Sequence, residues 1–178
     1  MSDHYYLYHM VPSDQVGITL HPLNQLKDTQ PELYAKKVQK YEGREHVRER
    51  QIPILNCRWN DVLHLSPIPP TDLQAALRAA GHSGVARFFY QIDLTQLEPK
   101  EAVVYLYKNT GTVRAPNHNE FVPFAVQDLQ HYATIPDATK NYFAQEIAAG
   151  RKPLLFHGIP HILYYGTIDV SNTTVISV

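Results

Sequence analysis

The side chains most able to do chemistry here are ten histidines, one cysteine and one tryptophan, set among twelve tyrosines. The richest stretch is residues 54–67. It holds Cys57, Trp59 and Asn60, then the strand-like run Val62-Leu63-His64-Leu65, and ends in Ser66-Pro67. A buried strand that hands polar groups to the loop after it is where α/β sites are commonly built. Cys57 lies beside apolar strand residues, so it reads as a small core hydrophobe before it reads as a nucleophile. His157 and His161 have a zinc-like spacing of four, but Gly158 and Pro160 break any helix between them. No carboxylate–histidine cluster supports them, so no metal site is expected. The eight glycines form no phosphate-cradling loop, and no serine sits in a glycine-flanked elbow. The charged segment from Tyr41 to Arg50 is either a solvated surface or a mobile loop that offers Tyr41, Arg44 and Glu45 to a ligand.

Composition narrows the classes. Hydrophobic residues at 44% and charged residues at 19% suit a chain with a real core and argue against disorder. The 178 residues read as a single domain, 1–178. A net charge of −1 gives no overall pull toward nucleic acid or an anionic membrane. Strand tyrosines without a basic stripe are core before they are RNA platforms. One cysteine excludes an internal disulfide framework and suits a reducing cytoplasm. No apolar run has the length of a membrane span, and the first residues lack a basic-then-apolar leader pattern. The expectation is therefore a cytoplasmic location, with export lacking a cleaved signal as the open alternative.

The elements that must position these groups follow from the patterning. Residues 5–11 form a first strand ending at Pro12, with His9 on the face shared by Tyr5, Leu7 and Val11. A histidine in that line is either a core residue bonded to backbone or a pocket group. Residues 16–20 form a second short extended piece, and Pro31 opens a helix over 32–41. Strands are expected at 52–55 and 61–65, with a turn at 56–60 between them. Thr71 and Gln74 form a capping box for a helix over 72–80 that stops at Gly81. Strong strands cover 87–94 and 102–107, and a long exposed loop covers Asn109–Asn119. Short helices are expected over 126–132 and, capped by Asp137, over 137–149. Residues 153–157 read as a strand and 158–160 as a turn. A long strand spans 161–170, with Gly166 marking a bulge or a close backbone approach, and a last strand covers 173–178. With helices early and strands dominating late, the class is α+β: about eight strands in mixed, largely antiparallel sheets with three or four helices.

Several of these pieces together resemble the ADP-ribosyltransferase fold, in its small DarT-like and RNA 2′-phosphotransferase-like bacterial branches. Leu7-Tyr8-His9-Met10-Val11 is similar to their first strand, and residues 16–22 to the step into their first helix. Residues 62–66, running on into the helix after residue 70, are similar to their middle strand, and residues 88–94 to the next. Residues 161–170 followed by Val175-Ile176 are similar to their closing strands. The resemblance implies an NAD-dependent enzyme acting at the ribose C1′ with release of nicotinamide. His9 would hold the ribose and Ser66 would lie near the nicotinamide. His161 stands where the transferases carry a glutamate, and a neutral imidazole brings no negative charge to an oxocarbenium-like transition state. Glu45 is the candidate for the missing carboxylate. Tyr41, Arg44, Trp59 and Asn60 are candidates for the adenosine and pyrophosphate parts, since arginine forks suit phosphate and aromatic faces suit bases. The implied partners are a small-molecule nucleotide and an acceptor of unknown identity. The alternative is a non-catalytic nucleotide-binding or protein-interaction domain on the same scaffold.

Overall fold

The computed structural model describes residues 5–108 and 116–178. β1 (Tyr6–Met10) and β2 (Thr19–Leu20) open the chain, followed by α1 (Leu26–Thr29) and α2 (Pro31–Val38). The short pair β3 (Gln51–Ile52) and β4 (Cys57–Arg58) leads through a 3-10 turn at Trp59–Asp61 into β5 (Leu63–Leu65) and then α3 (Pro70–Ala79). β6 (Phe88–Asp93), β7 (Ala102–Tyr105) and β8 (Phe121–Pro123) precede α4 (Leu129–Tyr132) and α5 (Asp137–Ala148). β9 (His161–Tyr164), β10 (Ile168–Asp169) and β11 (Thr174–Ser177) close the chain.

Two sheets dominate: β1-β6-β11, and β5-β9-β7-β8. Every strand pairing among the described residues is antiparallel, in the mixed α+β architecture expected. Period-two alternation lets the second sheet be covered on both faces. Val104 and Ile162 join Leu7, Leu65 and Ile92 in the main core between the sheets. The intervening positions Val103 and Leu163 turn the other way and pack against Ile52 and Phe121. A third cluster seats α3 through Leu73 on Ile68, Ile135 and Ile159.

Several expected elements are corrected. The described residues hold eleven short strands and five α-helical segments, against about eight and three or four expected. The capping box at Thr71 does not form: Pro70 takes the first helical turn, the cap residue is Pro69, and Gln74 instead accepts from Arg87. Asp137 likewise lies inside α5, behind Pro136. The expected strand at 153–157 is a loop and turn with Leu154 exposed; Leu155 and Phe156 pack on the Ile159 cluster instead of pairing. The long strand at 161–170 divides at Tyr165–Gly166, because β9 pairs inside the large sheet while β10 leaves to pair with β2. Gly166 fits its expected close approach: a Cβ there would come within 2.8 Å of the Tyr164 ring. The turn expected at 56–60 falls at 53–56 instead, and Cys57-Arg58 is strand. Most of the loop expected at Asn109–Asn119 lies outside the described residues.

Asn56 holds the β3–β4 turn with φ of 48°, a conformation that costs an alanine about 1 kcal/mol more. Asn56→Ala is therefore expected to lower the unfolding free energy from a urea titration by that amount, while Asn56→Gly leaves it level or raises it.

Candidate functional site

The two large sheets touch edge to edge at one residue pair. Tyr8 of β1 and Ser66, just past β5, exchange both amide–carbonyl hydrogen bonds at 2.8 Å. Beyond that bridge the strands part. His9 to Pro12 run along one side of the gap, and His64 back to Trp59 run along the other. The gap is a cavity of about 800 Å³, within the range of small-molecule sites. A third wall comes from the helical segment over residues 23–41, and Phe156 and His161 close the remaining side.

Of the residues singled out from sequence, His9, Tyr41, Trp59, Asn60, Ser66 and His161 line this cavity. Arg44 and Glu45 do not, which corrects both assignments. The Arg44 guanidinium donates to the Lys40 carbonyl at 2.7 Å, and the exposed Glu45 carboxylate accepts from the Gly43 amide at 2.9 Å. Both groups stabilise their own turn. Lys37 and Lys40 take the cationic places that Arg44 was expected to fill. The spacing could have shown this: residues 37, 40 and 41 share one face of a helix begun at Pro31.

His64 was not singled out, and it is central. It alternates between the buried residues Leu63 and Leu65, so its side chain leaves the main core for the opposite side of the sheet. There it packs against Trp59 at 4.8 Å and His161 at 6.3 Å between ring centroids. Trp59 is boxed in further by Tyr105, edge-on at 5.2 Å, and by the Arg50 guanidinium at 5.9 Å. It is thus a rigid wall.

Burial sets the electrostatics. His9 is held down to about 4, His64 to about 3 and His161 to about 4, in each case chiefly because burial penalises the imidazolium. His161 is the next cause at His64. All three rings are neutral at pH 7. Burial also lowers Lys40, followed by its neighbours Lys37 and Arg44. Lys37 is paired with Asp14 at 2.8 Å. Asp14 is the one carboxylate among the described residues of the cavity wall. The Ser66 hydroxyl is engaged by the Ile68 amide at 3.1 Å, shaping the turn into α3. On the described cavity wall two buried side-chain atoms have no hydrogen-bond partner, His9 Nδ1 and Asn60 Nδ2. Cys57 is buried, and its thiol is pushed up to about 11 by burial first and then by Asp61 and Glu101, so almost no thiolate exists at neutral pH. His157 is stacked on Tyr142 at 3.8 Å. Among the described residues no group of three or more His, Cys, Asp or Glu side chains is placed to hold a metal.

Tyr41 donates to Asn60 Oδ1 at 2.9 Å and ties the helical wall to the strand wall. Tyr41→Phe leaves a buried amide oxygen unpaired and is expected to cost about 1–2 kcal/mol in a urea titration. A change of a few tenths would mean that water replaces the bond.

No protein-family model, curated protein or solved structure matches this chain.

Proposed function

We propose that this chain is an ADP-ribosyltransferase-like protein whose cavity binds NAD or a related nucleotide, with cleavage at the ribose C1′ and release of nicotinamide as its reaction. The observation that carries this reading is the meeting of His9, from the first strand, with Ser66 and His161 around one hollow of nucleotide size. The lining suits such a ligand. Aromatic surface comes from Trp59, Tyr41 and Phe156, cationic groups come from Lys37 and Lys40, and neutral imidazoles lie between them. A nucleotide has the same three chemistries in order: a flat base, a neutral sugar and an anionic phosphate.

A non-catalytic reading on the same scaffold is favoured by one specific observation. The glutamate position is His161, Glu45 is elsewhere, and Asp14 is already neutralised by Lys37. Binding and turnover separate in two measurements. NAD or ADP-ribose at a hundred times its Kd stabilises the folded chain by about 2.7 kcal/mol. That corresponds to a rise in Tm of roughly 5–10 °C for a chain of this size. No rise with NAD, ADP-ribose or nicotinamide ends the nucleotide reading. A rise without release of nicotinamide on long incubation leaves the binding function and removes the enzymatic one.

A further inference from the structure

The two inner imidazoles have fixed tautomers. His64 Nε2 lies 3.1 Å from the Trp59 carbonyl, and His161 Nδ1 lies 2.7 Å from the Ile159 carbonyl. A carbonyl oxygen only accepts, so each of these nitrogens carries the hydrogen. In a neutral ring the other nitrogen is then a bare acceptor. The bonds that fix the two rings use only His64 Nε2 and His161 Nδ1, which leaves His64 Nδ1 and His161 Nε2 as the acceptors, and both side chains line the cavity. Their ring centroids are 6.3 Å apart. Two rings this close on one cavity wall can each accept from one of two adjacent donors on a ligand in that cavity.

We propose that His64 is a ligand-binding residue and that, together with His161, it forms an acceptor-only clamp for the vicinal diol of a neutral sugar. The resemblance assigns His64 no role. The clamp follows from two carbonyls and two rings. What lies beyond the sugar, a phosphate and a base, rests on the nucleotide reading above.

Two observations narrow the occupant. Acceptor nitrogens repel phosphate and carboxylate oxygens, so an anionic group cannot fill the clamp. A cationic amine would match the lone pairs, but Lys37 and Lys40 line the same cavity and their positive field extends to His9 and His64. A ligand with a neutral, donor-rich head and an anionic tail satisfies both ends. Two adjacent hydroxyls supply one donor for each ring, and the tail reaches the lysines. A site built to bind hydroxyls rejects the analogue that lacks one, because the facing acceptor is left unpaired.

The test uses the full chain labelled with 15N at histidine, at pH 7, with His64 and His161 signals assigned through His64→Gln and His161→Gln. In the free protein the spectra should show His64 protonated at Nε2 and His161 at Nδ1; the opposite tautomer at either ring overturns the clamp. Methyl β-D-ribofuranoside is then titrated to millimolar levels beside its 2-deoxy counterpart, nicotinamide, ADP-ribose and NAD. The expected result is movement of His64 Nδ1 and His161 Nε2 on adding the riboside or ADP-ribose, with the 2-deoxy sugar at least tenfold weaker. Riboside shifts without any NAD or ADP-ribose binding uphold the clamp and end the nucleotide reading. NAD binding with these two nitrogens unmoved does the reverse. Equal affinity for the 2-deoxy sugar, tighter capture of the nicotinamide amide by the same nitrogens, or no shift with any probe overturns the clamp.

Discussion

Between pH 6.5 and pH 4 this protein is expected to lose most of its stability. An unfolded histidine takes up its proton near pH 6.5, whereas in the folded chain His9 and His161 wait until about 4 and His64 until about 3. In that window the unfolded state binds more protons, so stability rises with pH and falls as the solution is acidified. Above pH 6.5 the contribution is complete and the curve should be flat. Each ring contributes on the order of 2 kcal/mol by pH 5, taken as 1.36 kcal/mol per pH unit below 6.5. The three are not independent, since His161 already presses on His64. Even so, their sum is comparable with the whole stability of an ordinary domain, about 5–15 kcal/mol. Urea midpoints from pH 8 to pH 4 measure this directly. His64→Gln should flatten the slope between pH 6 and 4, whatever it costs at pH 7. A wild-type midpoint unchanged down to pH 5 would mean that the imidazoles are far better solvated than the packing around them allows.

The second large effect concerns activity. If the cavity is a transferase-like site, His161→Glu should raise nicotinamide release from NAD by about a hundredfold. A carboxylate there lies against the positive charge that develops on the ribose, and one well-placed electrostatic group in an enclosed site is worth roughly 10²–10³ in rate. The imidazole it replaces is neutral at working pH and cannot supply that charge. Burial would raise the new carboxyl, and Lys37 and Lys40 in the same cavity oppose that rise. His161→Gln is the control: it removes the imidazole without adding charge, so its rate should not rise above the wild-type rate. Release unchanged in the glutamate variant, with NAD still bound, would separate this position from the transferase glutamate.

Much of this site was legible before any coordinates. The alternation through residues 5–11 placed His9 beside Leu7 and Val11, and the run 62–66 put polar groups at a strand end. What the linear pattern could not show was pairing. Residues 153–157 have the composition of a strand, yet they form a loop and turn that cover Ile159. Residues 161–170 read as one strand because Gly166 marks an irregularity but not the exchange of partners from β7 and β5 to β2. Capping signals failed twice for one reason: a proline just upstream of Thr71 and of Asp137 starts the helix earlier. Between two leucines, His64 carries no local mark of a site. Its importance comes from Trp59 and His161, one before the strand and one nearly a hundred residues after it. Glu45 and Arg44 were chosen for charge alone, and the local turn uses both.

The lone Tyr8–Ser66 bridge also has a mechanical side. Among the described residues these two amides are the only backbone link between the two sheet edges, beside the core that the sheets share. Deuterium uptake at those two N–H groups would then act as a gauge of aperture, slow when the mouth is narrow and fast whenever it gapes. A ligand filling the gap would brake both amides together without touching either.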